Sequence, residues 1–251
     1  MKIYAICSPS HEVLRDTWFL PSAKEFFTEV VVETVPQDCP SGTYLKSGWA
    51  KFMGHKFDLL LRAVEENWGG TFTFSDVDIQ FFDLPPSFIE SLLEERDILF
   101  QRNSAKGDVC TGFFVCRANE TMRNFWKAAK REVHEKWHAY DDQFIVNFLL
   151  GIAKFRLSPV RFFLMDIPWA EKMKGFFTEY LHRSKYNNAS VRWGYLPKQF
   201  YTPGRLWAPG IQLDTPSDII LHHANWTSGV TNKIAQLEYV KSIVSGNRSN
   251  T

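Results

Sequence analysis

Two aspartates one residue apart, Asp76 and Asp78, stand near the end of an apolar and aromatic run that begins at Thr71. Such a run is typical of a β-strand, in which residues i and i+2 point to the same side. Two carboxylates that face one point repel each other, and burial makes each of them costlier. Because Mg²⁺ and Mn²⁺ take oxygen ligands from carboxylates, water and phosphate, a cation would remove both penalties. The pattern predicts a metal–diphosphate site at the carboxyl end of a core strand.

An Asp-x-Asp pair also occurs at solvated strand ends that run into a turn, where it binds nothing. The surrounding residues favour the metal-site interpretation. A hydrophobic strand precedes the pair, and Asp83-Leu-Pro-Pro-Ser87 follows it as a strand stop and helix start.

The elements that must position this pair alternate between strands and helices, which predicts an α/β fold with a mostly parallel sheet and helices on both faces. No linker divides the chain, so we expect one domain over residues 1–251. Residues 170–215 are loop-rich and are expected to form a lid or acceptor-side region. The predicted strands cover 2–7, 29–33, 71–82, 97–101, 109–116, one or two segments within 155–166, and 219–221. The predicted helices cover 11–28, 49–67, 86–95, 119–137, a helix opening at 141–143, and 232–244.

The composition excludes several classes of partner. The formal net charge of +1 gives no overall field for nucleic acid or an acidic membrane. No apolar run reaches the 18 residues of a membrane span, and no signal peptide precedes the first strand, so a cytoplasmic protein is expected. The cysteines lack metal-site spacing and are expected to be buried, reduced thiols. The 16% of aromatic residues could fill a core or stack on bases and sugars.

Several other residues each have a ligand-binding and a purely structural interpretation. Ser8 follows the first strand, where Rossmann-like sheets place a base and ribose, although no G-x-G-x-x-G motif is present. Lys56 could reach a phosphate or belong to a solvated helix face. Gly112, inside a strand, could make room for a ligand or mark a bulge. Asp142 could serve a site or only cap its helix.

In chain order, four motifs resemble the DxD glycosyltransferases of GT-A fold, the nucleotide-diphospho-sugar transferases. The resemblance covers residues 46–240 and extends to glycogenin-like and galactosyl- or xylosyltransferase families. The motifs are Phe74-Ser-Asp-Val-Asp-Ile79, Thr111-Gly-Phe-Phe-Val115, Asp142-Gln143, and His223-Ala-Asn-Trp226 with Gly229 and Lys233.

This resemblance implies a GT-A (Rossmann-like) sheet and a metal-dependent glycosyltransferase that uses Mn²⁺ or Mg²⁺. Asp76, Asp78 and His223 would hold the ion, and Lys233 would neutralise the donor diphosphate. Because neighbouring strand residues face opposite sides, His222 is expected to point away. The implied catalytic residues are Asp78, Asp142 and Gln143. The implied donor-binding residues are Ser8, Lys56, Ser75, Asp76, Thr111, Gly112, Asn225, Gly229 and Lys233.

The reaction implied is hexosyl or pentosyl transfer from a UDP- or GDP-sugar to a glycan or glycoprotein acceptor. Families of this layout mostly retain the configuration, whereas an inverting course would need a carboxylate base for the acceptor hydroxyl. Cys110 stands where related families often have Asn, which leaves the identity of the sugar open. Two alternatives remain: an Asp-x-Asp metal-dependent phosphohydrolase, and a non-catalytic carbohydrate-binding protein. The phosphohydrolase would need a nucleophilic aspartate and further acids downstream, where the chain offers a histidine and a lysine instead. The binding protein would not need the two aspartates, His223 and Lys233 together.

Overall fold

The computed structural model describes residues 1–39, 48–84, 86–104, 107–136, 142–152 and 190–248. Its strands are β1 (Lys2–Cys7), β2 (Glu29–Thr34), β3 (Thr71–Asp76), β4 (Ile79–Phe81), β5 (Ile98–Arg102), β6 (Val109–Arg117), β7 (Trp193–Tyr195), β8 (Phe200–Tyr201) and β9 (Leu221–His223). Its helices are α1 (Glu12–Leu14), α2 (Leu20–Phe26), α3 (Trp49–Glu66), α4 (Pro86–Leu93), α5 (Glu120–Lys136), α6 (Asp142–Leu149) and α7 (Val230–Arg248).

Six strands form a central sheet in the order β2-β1-β3-β6-β5-β7. The pairs β1–β2, β1–β3 and β5–β7 are parallel, whereas β6 is antiparallel to β3 and β5. Residues 109–116 of β6 are all buried, as a strand covered on both faces requires, and its sequence is a continuous apolar run broken only by small residues. The mixed, mostly parallel α/β sheet predicted from the sequence is confirmed.

Helices cover both faces of this sheet and enclose two apolar cores. Helices α3, α5 and α6 pack on one face, where the rings of Phe74 and Phe114 stack at 5.2 Å and Trp126 stacks on Phe114 at the same distance. Helices α1, α2, α4 and α7 pack on the other face, and Phe19 and Leu237 are fully buried there. The central sheet therefore packs against an apolar core on each of its faces.

A second, three-stranded sheet in the order β4-β9-β8 corrects the sequence-based view of the Asp-x-Asp stretch. The predicted strand 71–82 is two strands, because β3 ends at Asp76 and β4 begins at Ile79 in the other sheet. Asp78 therefore lies in the turn between them. The two carboxylates come together through this turn, and the expected i, i+2 alternation along one strand was wrong.

The predicted helix 11–28 is also interrupted. Between α1 and α2 the chain makes a π-helical turn over Arg15–Phe19, in which the N–H of Leu20 bonds the carbonyl five residues back at Arg15. The next residue, Pro21, has no N–H and would clash with the carbonyl of an ordinary α-turn, so the wider turn accommodates it.

Where the structure describes them, the other predicted elements are present with shifted ends. The last helix starts at Val230, two residues before the predicted start, and the last strand covers Leu221–His223 instead of 219–221. The helix predicted to open at 141–143 is confirmed as α6 from Asp142, whereas β7 and β8 lie in the region 170–215 that was expected to be loop-rich. The predicted strands within 155–166 and residues 170–189 of the proposed lid lie outside the described residues. Along the described residues, no helix combines the length and the apolar character needed to cross a membrane.

Candidate functional site

The predicted site residues gather at one edge of the central sheet. Strands β1, β3 and β5 run in the same direction and end at this edge, and β6, antiparallel to β3 and β5, begins there. Ser8 follows β1, Asp76 ends β3, Asn103 follows β5, and Thr111 lies near the start of β6. Residues separated by up to about 100 positions in sequence thus meet where open α/β sheets bind ligands.

Asp76, Asp78 and His223 form a triad whose ligand atoms lie within 4.8 Å of one another. The Nε2 atom of His223 is 3.3 Å from Asp78 Oδ1 and 3.9 Å from Asp76 Oδ2. The small sheet produces this arrangement, because β9 pairs with β4 so that His223 lies opposite Ile79. The N–H of Ala224 also donates to the carbonyl of Asp78 at 2.9 Å, which fixes the turn against β9.

Lys56, on α3, is a buried cation among acids. Its Nζ is 2.6 Å from Asp142 Oδ2 and 3.2 Å from both Asp76 Oδ1 and the carbonyl oxygen of Thr111. Burial would lower the pKa of Lys56, but Asp142 and Asp76 raise it above its usual value. An ammonium group has three N–H donors, and here each has a protein oxygen within reach.

Lys233, on the first turns of α7, contacts the second aspartate of the pair. Its Nζ donates to Asp78 Oδ2 and to the carbonyl of Ala224, the latter at 3.0 Å. Burial would raise the pKa of Asp78, but Lys233 and His223 hold it well below its usual range. Burial raises the pKa of Asp76 against the lowering effect of Lys56, and the charge of Asp78 adds to the rise.

Asp142 lies in the first turn of α6, where an acid suits the helix dipole, and it also belongs to the site. Its Oδ2 accepts a hydrogen bond from Thr111 Oγ1 at 2.8 Å in addition to the contact with Lys56. Burial would raise the pKa of Asp142, but Lys56 and the hydrogen bond from Thr111 lower it. The helix-cap and the site interpretations of Asp142 are therefore compatible, because the helix start itself lies at the sheet edge.

The orientation of the His223 ring is set by Gln101, which is fully buried. Gln101 Nε2 donates to the carbonyl of Phe200 at 3.2 Å, so Gln101 Oε1 is left as the acceptor facing His223 Nδ1 at 3.1 Å. Nδ1 therefore carries hydrogen, and Nε2 is the nitrogen that faces the carboxylates. Burial would lower the pKa of His223, but the charge of Asp78 raises it to about 10.

Gly112 makes room for this ring. A Cβ atom on Gly112 would lie 2.1 Å from Cε1 of His223 and 2.8 Å from Asp76 Oδ2, which no side chain can do. The pairing of β5 with β6 also shifts register after Phe100, so Gly112 lies in a bulge. The bulge is real, and the space beside Gly112 holds the imidazole of His223.

The neighbouring His222 points away from the triad, as strand alternation predicts. Its ring stacks on Tyr201 with centroids 5.4 Å apart, and neither ring nitrogen has a hydrogen-bond partner. Burial lowers the pKa of His222 to about 3, so the ring is neutral.

A cavity of about 450 Å³ opens at this edge. Ser75 is the one predicted donor-binding residue outside its lining, because this side chain is fully buried and its hydroxyl donates to the carbonyl of Asp76. The predicted residues that line the cavity are Ser8, Lys56, Asp76, Asp78, Thr111, Gly112, Asp142, Gln143, His223, Asn225, Gly229 and Lys233.

Four residues of this region were not identified from the sequence. Gln101 ends a predicted strand and showed no sign of its contact with a histidine 122 positions away. Asn103 and Leu206 lie in loops without a recognisable pattern. Trp226 belongs to the motif His223-Ala-Asn-Trp226 but received no role, although an aromatic residue next to Asn225 could have indicated a ligand contact.

The triad suits a divalent cation by the chemistry of its donors. Two carboxylates and an imidazole with its Nε2 turned inward supply oxygen and nitrogen ligands, a set compatible with Mn²⁺ and Mg²⁺. Gln101 behind the imidazole provides the outer hydrogen bond that ligating histidines usually make. The residues present therefore fit the ion that the sequence predicts.

Comparisons with known proteins agree with this geometry. The family model for nucleotide-diphospho-sugar transferases matches residues 38–237, which include the triad and Lys233. A crystal structure of a glycosyltransferase involved in the glycosylation of the major capsid of PBCV-1 aligns with a TM-score of 0.51 and 11% identity, covering 93% of this chain and 97% of that one. At that identity the alignment shows the shared fold alone. The sequence matches none of the curated proteins compared with it.

Proposed function

Because the chain belongs to the nucleotide-diphospho-sugar transferase family, we propose that it moves a hexosyl or pentosyl group from a UDP- or GDP-sugar to a hydroxyl of a glycan or glycoprotein. The observation that carries the proposal is the triad of Asp76, Asp78 and His223 in a cavity of about 450 Å³, with Lys233 against Asp78. We propose that one domain over residues 1–251 performs this reaction.

The three residues of the triad would hold Mn²⁺ or Mg²⁺. When bound, the ion supplies a Lewis acid for the diphosphate oxygens, on which negative charge develops as the sugar leaves. His223 would give up its Nε2 proton to ligate the ion, and Gln101 keeps the remaining hydrogen on Nδ1. The phosphohydrolase alternative is less favoured, since that chemistry needs further acids downstream to complete its metal site, and His223 and Lys233 stand beside the aspartates instead.

Lys233 would neutralise the leaving diphosphate. Two protein oxygens account for two of its three N–H donors, so one remains for a phosphate oxygen. Lys233 is the fourth residue of α7, which begins directly after Gly229, and the free N–H groups at a helix start favour phosphate. An anion bound there would take over part of the pairing that Asp78 provides.

Asp142, Gln143, Thr111 and Gly112 would line the donor sugar. The lowered pKa of Asp142 keeps its carboxylate ionised, so it can stabilise positive charge that develops at the anomeric carbon. Lys56, whose three donors already face protein oxygens, would hold Asp76 and Asp142 in position and would contact phosphate only by giving up one of them.

Ser8 would face the nucleoside, and Asn225 would offer its buried side-chain oxygen, which has no hydrogen-bond partner, to a donor hydroxyl. The bond between the anomeric carbon and the diphosphate oxygen breaks with its electron pair on that oxygen. The acceptor oxygen forms the new bond to the anomeric carbon. In the retaining course proposed here the acceptor proton passes to the departing phosphate oxygen on the same face.

The test is calorimetric titration of UDP and GDP with and without Mn²⁺, together with turnover of a panel of nucleotide sugars. We expect binding of one nucleoside diphosphate to require the ion. Asp78→Asn should weaken that binding and lower turnover by about 10³-fold, because it removes a ligand at the position of developing charge.

The matched control is Asp58→Asn, which changes an exposed aspartate paired with Lys130 and should leave both measurements unchanged. Metal-independent nucleotide binding with full turnover in Asp78→Asn would overturn the metal assignment. Sugar binding without any nucleoside diphosphate binding would favour a carbohydrate-binding protein. Release of inorganic phosphate from a phosphate ester would favour the phosphohydrolase.

A further inference from the structure

Two of the large apolar side chains exposed at the surface lie at the mouth of the cavity. The described residues expose five such side chains, and of these only Leu206 and Trp226 line the cavity, with 74% and 38% of their surfaces exposed. The other exposed tryptophan, Trp68, is not part of its lining and lies under the guanidinium of Arg123 at 5.0 Å. A single exposed apolar side chain is normal on a protein surface, whereas exposed apolar side chains grouped at a cavity indicate a binding site.

The indole of Trp226 is held in a fixed position. Its Nε1–H lies 3.0 Å from Asn103 Oδ1 and 3.3 Å from the carbonyl of Asn103, so the polar end of the ring is anchored to the loop after β5. Its backbone carbonyl accepts from the N–H of Trp207 at 3.3 Å, which ties it to a second loop.

The backbone of Trp226 is also strained. Its φ of 59° lies in the left-handed region that bulky residues avoid. Such a conformation persists only where the surroundings over-determine it, and it is found most often at ligand sites. Asn103 and Trp207 supply those constraints, and the anchored ring leaves an apolar surface exposed at the cavity.

The indole of Trp226 lies against the loop after β5, whereas the proposed nucleoside position lies after β1. Ser8 follows β1 and Asn103 follows β5, and β3 and β6 lie between these strands. Three strand spacings of about 4.8 Å place the two positions about 14 Å apart, with Asp76 on β3 between them. A donor with its nucleoside near Ser8 and its diphosphate at the triad therefore directs its sugar toward the side on which Trp226 stands.

We propose that Trp226 and Leu206 form the acceptor subsite and that the acceptor is a carbohydrate whose sugar ring packs its apolar C–H face on the indole. This inference rests on the proposed function and adds the place where the acceptor binds and the face of the sugar that is recognised. An anchored indole provides a large, rigid apolar surface that loses little conformational freedom on binding. Exposed Leu206 extends that surface beyond one ring, which suits an oligosaccharide or a glycan chain.

The test measures two kinds of ligand on the same variants. Saturation-transfer NMR with methyl α- and β-glycosides of the common hexoses and pentoses reports the acceptor side, and calorimetry of UDP and GDP with Mn²⁺ reports the donor side. Trp226→Gly removes the ring and is compatible with the positive φ, and Trp226→Phe keeps an aromatic face. Trp68→Ala is the matched control, an exposed tryptophan outside the cavity.

We expect the wild-type protein to bind at least one glycoside, Trp226→Gly to weaken that binding about tenfold, and Trp226→Phe to keep most of it. Trp68→Ala should bind the glycoside like the wild type, and nucleoside diphosphate affinity should change less than about twofold in every variant. Loss of nucleoside diphosphate affinity in Trp226→Gly would overturn the proposal by assigning the ring to the donor.

Glycoside binding that is absent from the wild type, or equal in Trp226→Gly and Trp68→Ala, would also overturn it. These failures are distinct from failure of the proposed function. That function fails when the wild-type protein binds no nucleoside diphosphate in the presence of the ion, whatever happens with the glycosides.

Discussion

Buried aspartates occur at two opposite edges of the central sheet, and their surroundings differ. Asp97 precedes β5, at the edge away from the cavity, and is 2% exposed. Its Oδ1 accepts from Asn119 Nδ2 at 3.0 Å, and its Oδ2 accepts from the backbone N–H of Arg192 at 2.9 Å and from the guanidinium of Arg192. Neither Asn119 nor Arg192 lines the cavity.

The cavity edge also contains aspartates, but there they contact several cationic side chains. Three carboxylates, Asp76, Asp78 and Asp142, meet two lysines and His223, and all of them line the cavity. At Asp97 the protein itself supplies hydrogen-bond donors to both carboxylate oxygens of a buried acid. Acids collected around an open cavity are costly for folding alone, and such clusters are a common mark of a ligand-binding site.

Removal of Lys56 should break the charge balance of the cavity edge and have the largest effect on stability. Lys56→Met leaves Asp142 and Asp76 without their buried cation, so we expect a loss of about 3–5 kcal/mol in the free energy of unfolding, measured in urea. Mn²⁺ should recover part of this loss by supplying positive charge to the same acids. Adding Asp142→Asn should also recover part of it.

The control for that variant is Lys130→Met, which removes a half-buried lysine paired with exposed Asp58 and should cost at most about 1 kcal/mol. Equal effects of Lys56→Met and Lys130→Met would remove the contrast between the cavity edge and an ordinary surface pair.

Gln101 sharpens the comparison, because its side chain reaches the cavity edge through His223. Gln101→Leu removes the oxygen acceptor of the His223 Nδ1–H and leaves the weaker Cys110 Sγ at 3.6 Å, so the hydrogen is held less firmly on Nδ1, and we expect Mn²⁺ affinity to fall by about 10–100-fold. Electron paramagnetic resonance of free Mn²⁺ measures this without turnover. Gln101→Glu keeps an oxygen acceptor and should bind the ion more tightly than Gln101→Leu; equal affinities in the two variants would contradict the positioning role.

Much of this architecture could be predicted from the sequence. Strands such as β1 and β6 are apolar runs between polar loops, and α3 carries its apolar residues at helical spacing, so local pattern was sufficient. The triad could be named because the family resemblance placed His223 with the Asp-x-Asp pair. Its geometry could not be derived, because it depends on the pairing of β4 with β9, residues about 140 positions apart.

The contacts behind the triad were inaccessible for the same reason. Periodicity assigned Lys56 to a helix face without showing that α3 directs it at Asp142, which lies in another helix. Gly112 was ambiguous because its neighbour in space, His223, lies 111 positions further along the chain. The left-handed backbone of Trp226 has no sequence signal, since the residues that favour this conformation are Gly, Asn and Asp.

Replacement of Asp97 should have the smallest effect and gives the most specific test, because it should lower the free energy of unfolding and leave ligand binding unchanged. Asp97→Asn keeps an acceptor but removes the charge that strengthens the bonds from Arg192 and Asn119. We expect a loss of about 1–3 kcal/mol at neutral pH and unchanged Mn²⁺-dependent affinity for nucleoside diphosphates. Burial would raise the pKa of Asp97, but the hydrogen bonds from Arg192 and Asn119 hold it below its usual value.

The pH dependence of this loss follows from the direction of that shift. A carboxylate whose pKa is lower in the folded state contributes stability above its unfolded pKa, about 3.9, and loses it as pH falls through the folded value. The gap in melting temperature between wild type and Asp97→Asn should thus be constant from about pH 5 to 7 and shrink below about pH 4. A gap of full size at pH 3 would contradict the stabilising role of the Asp97 charge. Weakened nucleotide binding at pH 7 would place Asp97 with the acids of the cavity and end the distinction between the two edges.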